Sequence, residues 1–287
     1  MNQMMILAVN SITLGGLLFL LSSGFSLIFG LMRIPNLVHG SLFMLGAYIS
    51  STLFIRFQIN FWISAVLAAL AIAAFGGLIE RFLLRKLAGA QLAQVLVTLG
   101  IAFMIADFCL MVWTGDPITL PTPPPFIGAV RIAGIFFPYY RLAVIIIACI
   151  FAVVLWLMLE RTRLGAMIRA SVDDPEMARV VGIRVSGLFT IVYCLGAALA
   201  GFAGVIGAPI LSIYPGLDFD MLPLALVVVI LGGSGSLLGS FVGSIIVGFI
   251  YNFGQALLPE LAYFVLFLPM LLVLIFRPQG LFGRHVP

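Results

Sequence analysis

The chain has 287 residues, 63% of them hydrophobic and 8% charged, with a formal net charge of +4. Soluble domains carry roughly a quarter charged residues, so a chain this apolar has the bilayer as its solvent. Its arginines sit in separate short loops rather than on one face, which excludes a nucleic-acid footprint.

Apolar runs of about 20 residues read as transmembrane helices. Val9 to Leu31 is the first, and Leu37 to Phe54 follows a tight Met32-Arg33-Ile34-Pro35-Asn36 turn. Phe61 to Ile79 is uncharged, and Val95 to Trp113 carries one ionisable residue, Asp107. Thr114 to Tyr140 holds Pro121, Pro123, Pro124, Pro125 and Pro138 among its prolines, which predicts a stiff extended loop and no helix. Leu142 to Leu159 and Leu188 to Ile213 are uncharged spans. Met221 to Pro259 is uncharged too, but Gly232-Gly233-Ser234-Gly235-Ser236 cuts it in two, and Met221 to Leu231 is expected to be a short broken helix. Leu261 to Phe276 is the last span. The expected fold is an all-α polytopic membrane protein of about eight or nine crossings with broken or re-entrant segments. Residues 1–287 read as a single transmembrane domain.

Basic residues set the expected orientation. Arg81, Arg85 and Lys86 follow the third span, Arg161 to Arg184 follow the fifth, and Arg277 and Arg284 lie in the tail. These regions are expected to be cytoplasmic. The proline-rich loop, about 114–140, and the Pro215 to Asp220 turn are then external, as is the N-terminus. No Lys or Arg precedes the first apolar run, so the start of a signal peptide is missing and the first span is expected to be retained.

Two regions depart from a simple helix pattern. One holds Pro35, Gly40 and Gly46; the other holds Pro209, Pro215, Pro223 and the Gly-Ser run. Interrupted segments in both halves of a chain point to a transport path. Asn36, His39, Ser41, Gly46, Gly232, Ser234, Ser236 and Gly239 are the pore-lining candidates. Small residues also recur at helical spacing: Gly196, Ala200 and Gly204; Gly235, Gly239 and Gly243; Ser240, Ser244 and Gly248. Such stripes allow close helix approach, within one subunit or at a subunit interface or pore wall.

The one densely charged island runs from Thr162 to Gly182, within a loop of about 160–186. Asp174 can cap a short helix that Pro175 opens. Glu176 and Arg179 suit its dipole, and Gly182 fits a left-handed stop. Two turns alone are marginal in water, so its own spans or a partner must stabilise it.

Thr162-Arg163-Leu164-Gly165, Arg169-Ala170 and Glu176-Met177-Ala178 followed by Gly182-Ile183 resemble the cytoplasmic loop of ABC importer permeases. Met177 stands where that motif has a first Ala, and its downstream Ile-x-Leu-Pro is absent. The likeness is closest to the branched-chain amino acid ABC permeases of the LivH type and runs nearly end to end. It includes Asn36-Leu37-Val38-His39-Gly40-Ser41, Leu195 to Gly201, Gly232 to Gly239 and Arg277 to Gly283. The resemblance implies the ABC importer permease fold in a bacterial inner membrane. It implies a homologous second permease, two cytoplasmic ATPases and an external substrate-binding protein as partners. Arg169, Asp174, Glu176, Ala178 and Gly182 become the candidate ATPase-coupling residues. Substrates of the family are mostly leucine, isoleucine and valine, with other amino acids, urea or small carboxylates in relatives.

Lys86 is the only lysine, so no phosphate-binding G-x-x-x-x-G-K-[ST] loop exists in the chain. Its two histidines, His39 and His285, form no zinc motif, and no cofactor is expected. Cys109, Cys149 and Cys194 read as small buried hydrophobes. Asp107 reads as the single intramembrane acid, either functional or hydrogen-bonded to Thr114 or a neighbouring helix near the outer face. His39 reads as structural rather than a proton relay. The rival function, an ion-coupled secondary transporter, needs paired ionisable groups at the membrane midplane.

Overall fold

The computed structural model describes residues 2–32, 36–132, 135–277 and 279–283. The expected turn at Arg33, Ile34 and Pro35 lies outside the described residues, as do Pro278, Arg284 and His285. The helices are α1 (Asn2–Met32), α2 (Val38–Ser51), α3 (Phe61–Phe82), α4 (Gln91–Trp113) and α5 (Tyr139–Arg161). Two polar helices follow, α6 (Arg163–Asp173) and α7 (Pro175–Val180). Then come α8 (Val185–Gly207), α9 (Leu217–Gly232), α10 (Leu237–Leu257) and α11 (Ala262–Phe276).

Seven helical stretches among the described residues are long and apolar enough to cross a bilayer. α9 and α11 are shorter, at 16 and 15 residues. With both of these, the number of crossings agrees with the sequence expectation. α2 runs on through a π-helical turn at Thr52–Arg56, which brings it to spanning length.

α2 is the axis of the bundle. Every residue of it except Ile49 is buried, against α3, α4, α8 and α9. α1 lies beside it, packed along α8 and α10. Between apolar helices in lipid there is little hydrophobic drive to associate, so close backbone approach and dispersion must hold them. Glycine supplies that approach. A Cβ on Gly46 would lie 2.5 Å from the Cα of Gly201, and one on Gly204 would overlap the carbonyl of Phe43. The small-residue stripes of α8 and α10 therefore pack within the subunit: Gly196 meets Gly24, Gly239 meets Gly232, and Gly248 meets Ser11.

The outer faces of α3, α4 and α5 are as apolar as the interior, with Leu70, Met104, Met111 and Ile146 all exposed. This is why these helices show no amphipathic stripe: lipid replaces water on the outside.

Three local expectations change. Gly40 and Gly46 do not break α2, because each is a contact point in a continuous helix. α9 begins at Leu217, runs unbroken through Pro223, and so takes in four of the six residues of the expected Pro215–Asp220 turn. Helix-breaking residues are tolerated in such spans when neighbouring helices re-satisfy the backbone. The Gly-Ser run does end that helix, with Gly233 at φ 100° and Ser236 capping α10 by accepting from the Gly239 N–H at 3.0 Å. The proline-rich loop is not wholly extended. It forms a 3₁₀ turn at Pro124–Phe126 and an antiparallel hairpin, β1 (Ala129–Ile132) with β2 (Ile135–Pro138).

The bundle thus has a hairpin end and an α7 end. At the hairpin end, Ile118 and Ile213 exchange backbone hydrogen bonds of 2.8 Å, tying the loop to the segment after α8. Phe61, Trp62, Phe126 and Tyr140 pack edge to face beneath it. At the α7 end, the tail returns over α9, with the Leu281 N–H donating to the Leu231 carbonyl at 2.9 Å.

Candidate functional site

The charged island folds as two capped helices. Thr162 caps α6 by accepting from the Gly165 N–H at 3.2 Å. Gly165, Ile168 and Ser171 form the buried face of α6 at a spacing of three. Arg169 turns back onto α5, donating to the Leu159 carbonyl and pairing with Glu160 at 3.5 Å. It fastens α6 to α5.

α7 has both ends closed. Asp174 Oδ1 accepts from the Glu176 and Met177 N–H groups, both at 2.9 Å. At the far end the Gly182 N–H donates to Arg179 and the Ile183 N–H to Ala178, both at 3.0 Å, with Gly182 at φ 90°. This is a Schellman closure, which needs a left-handed residue after the helix. Six residues of helix could not persist alone. The two caps, and Ala178 packed at 2% exposure, hold it in place.

The other face of α7 is open. Glu176 is exposed, and so are Met177 at 57%, Val180 at 80% and Val181 at 69%. Sequence reasoning fixed on the charges and missed this apolar patch. The available signal was three large apolar residues in a polar segment with no apolar face to share.

The pore-lining candidates fall mostly inside the subunit. The Asn36 side-chain amide donates to the Tyr193 hydroxyl at 2.9 Å. His39 is fully buried, and its Nε2–H donates to the Leu21 carbonyl at 2.9 Å. Ser41 donates to Asp218 Oδ2 at 2.7 Å. Gly46 meets Gly201, and Gly232 meets Gly239. Ser236 is the α10 cap, and only Ser234 of the eight is exposed. The structure brings together Ser41 and Asp218, and the other seven candidates do not join them.

Asp218 is a buried acid that the sequence reading, which singled out Asp107, placed in a turn. The early start of α9 carries Asp218 inward to α2, where it is 2% exposed and Oδ1 has no hydrogen-bond partner. The hydroxyl of the fully buried Tyr48 is also without a partner. Asp107 lies on the outer face of α4 among exposed Phe103, Met104 and Met111. It sits six residues before Trp113, about 9 Å from the hairpin end.

A bundle of apolar helices with its charged, capped segments gathered at one end is the architecture of a membrane transport subunit. The chain belongs to the family described as branched-chain amino acid transport system / permease component, whose profile matches residues 7–274. It is similar to the high-affinity branched-chain amino acid transport system permease protein BraD of Pseudomonas aeruginosa, with 29% identity over 96% of this chain and 94% of that one. The permease protein LivH of Escherichia coli is 25% identical over the same shares. The ribose import permease protein RbsC of Escherichia coli is 27% identical over 82% of this chain and 74% of its own. No solved structure matches.

Proposed function

We propose that this chain is the permease subunit of an ATP-driven importer of branched-chain or related amino acids, working in a bacterial inner membrane. A homologous second permease completes the path. Two separate ATPases dock on the α7 end, and an external binding protein delivers substrate at the hairpin end. The N-terminus is then external and the C-terminus cytoplasmic.

The observation that carries the reading is α7 itself. It is a capped, internally anchored helix that presents Met177, Val180 and Val181 to solvent beside Glu176. A soluble protein with an apolar groove rimmed by basic or polar groups fits that face. Anchoring through Ala178 and Arg169 lets a push on α7 reach α5 and α8 without first deforming the loop. Two of the named relatives are branched-chain amino acid permeases, which supports the substrate class. The ribose permease warns that the fold alone does not choose the substrate.

The decisive experiment is uptake of leucine by proteoliposomes containing both permeases and the ATPases, with binding protein added. Uptake is expected to follow ATP and to ignore a protonophore. A second reading, ion-coupled secondary transport, draws on buried Asp218 beside Ser41. Uptake that persisted without ATPases and stopped with a protonophore would replace the first reading by the second. A photocrosslinker at Glu176 should reach an ATPase subunit; capture of none sinks the docking assignment.

A further inference from the structure

α4 is held along one face. Thr98, Ala102, Ile105 and Cys109 are buried there at a spacing of three or four, and α2 is the helix it packs on most. The opposite face carries Gly100, Phe103, Met104, Asp107 and Met111, all exposed and again three or four apart. Met104 is 71% and Met111 84% exposed, so these side chains stand on a ridge and do not line a pocket.

Lipid suits every residue of this ridge except Asp107. α4 has 23 residues, about 34 Å of helix, against a hydrocarbon core of about 30 Å. Asp107, about 9 Å from the Trp113 end, therefore lies within the core. Its side chain is too short to reach out of it as a lysine or arginine can. Carboxylates at such a depth almost always face protein or water, not lipid. The lipid faces of α3 and α5 obey that rule, since Phe61 to Ile79 and Leu142 to Leu159 hold no acidic or basic residue. Among the described residues no hydrogen bond or ion pair answers Asp107, and the contact with Thr114 that the sequence allowed does not form.

Two neighbours extend the face. A Cβ on Gly100 would meet nothing within 4 Å, so the helix backbone itself is the surface there, about two turns from Asp107. Such a notch admits the close approach of a second helix. Phe103 packs on Phe219 with ring centroids 5.5 Å apart, so the start of α9, with exposed Phe219 and Asp220, continues the ridge.

Charge decides what covers it. Neither α4 nor α9 carries a Lys or Arg. The same face of a second copy would set Asp107 and Asp220 against acids alone, and like charges across an interface are disfavoured. The complement is a membrane helix of a different chain, with a basic side chain at the depth of Asp107.

We propose that this face seats the second permease subunit, one of whose helices enters the Gly100 notch and pairs a basic side chain with Asp107. The proposal rests on the importer reading, which calls for such a subunit. Asp107 is unanswered only in the separate chain, so its charge selects the partner as well as holding it.

A photocrosslinker at Met104 in the assembled importer tests the seat, with one at exposed Leu70 of α3 as the lipid-facing control. The Met104 probe is expected to capture the second permease, and the Leu70 probe lipid. Co-purification of the tagged pair on dilution in detergent reads the contact. Asp107→Leu and Gly100→Val should each weaken the pair at least tenfold, and Asp107→Glu should keep most of its affinity. Both positions are exposed, so the separate variant chains should melt as the unaltered chain does, which distinguishes lost pairing from lost folding. Capture of a second copy of this chain, or of lipid alone, would overturn the proposal. So would unchanged pairing in Asp107→Leu; if leucine uptake were lost with it, Asp107 would be a contact of the substrate path. If no second permease accompanies the unaltered chain, the importer reading fails and the seat with it. If the pair forms and the Met104 probe never reaches it, the seat alone fails.

Discussion

Asp174, Ala178 and Gly182 sit within nine residues and do three different jobs. Asp174 closes the first turn of α7 and Gly182 closes its last. Both were legible in the sequence, because capping chemistry is local. Ala178 was not, because its burial depends on α7 lying against the body of the protein. A larger side chain at Ala178 therefore disturbs the permease itself before it meets any ATPase. Ala178→Leu is expected to destabilise by about 1–3 kcal/mol through overpacking, seen as a lower melting temperature of the isolated permease in detergent. Gly182→Val has open space around it but an unsuitable backbone, at φ 90°. Its cost, about 1 kcal/mol or more, falls on the helix stop. The melting temperature should change little while ATPase stimulation by loaded binding protein is lost. Equal melting losses in the two variants would contradict this division of roles. Asp218 makes the third test at this scale. Asp218→Asn keeps an acceptor for the Ser41 hydroxyl, whereas Asp218→Leu leaves that hydroxyl buried without one, at about 1–3 kcal/mol. The Asn variant should melt well above the Leu variant, and the reverse order would mean that the contact carries no stability.

Among the elements, the long spans were legible and their polar punctuation was not. Composition marks α3, α4, α5 and α8, since nothing but lipid explains uncharged runs of that length. Glycine and proline were harder to read. Gly46, close to Pro35, suggests a break in the sequence, yet it is where α2 touches Gly201 of α8 backbone to backbone, while Gly204, in a stripe read as allowing close approach, meets Phe43. Sequence periodicity cannot tell a glycine that bends a helix from one that admits a neighbour. The same ambiguity hid Asp218, because a Pro-Gly turn just before it looked like the end of membrane-embedded chain. Gly204→Val should therefore block folding, with loss of about 3 kcal/mol or more, while Gly100→Val, at a site with no neighbour within 4 Å, should express normally. At α7 the prediction concerns binding. Replacing Met177, Val180 and Val181 together by Ser removes the exposed apolar face but none of the caps. Burial of such side chains is worth about 2–4 kcal/mol in sum, so affinity for the ATPase should fall roughly 30- to 1,000-fold. Co-purification at limiting ATPase would read this, and undiminished recovery would show that α7 docks through its charges or not at all.

For the molecule as a whole, charge distribution is the strongest statement the sequence makes. The α7 end carries Arg81, Arg85 and Lys86, the arginines between Arg161 and Arg184, and Arg277. Among the described residues the hairpin end carries Arg56, Arg131 and Arg141 as its basic side chains, along with Asp116, Asp220 and Glu260. Arginine-rich loops stay on the cytoplasmic side because carrying them across is disfavoured, and acidic residues weigh little in the count. The structure sharpens the argument by collecting dispersed loops at one end. α7, the link to α8 and the returning tail near Leu281 share it, so they must lie on one side of the membrane together. This joins three topological claims into one. With Cys109, Cys149 and Cys194 replaced, single cysteines at Gly128 in the hairpin loop and at Glu176 in α7 should behave oppositely. A membrane-impermeant maleimide on intact spheroplasts should label position 128 and spare position 176, which becomes reactive only after permeabilisation. A third cysteine at Phe282 should follow position 176. Labelling of position 176 in sealed spheroplasts would invert the protein, placing the exposed face of α7 outside. Disagreement between positions 176 and 282 would instead break the packing of the tail on α9.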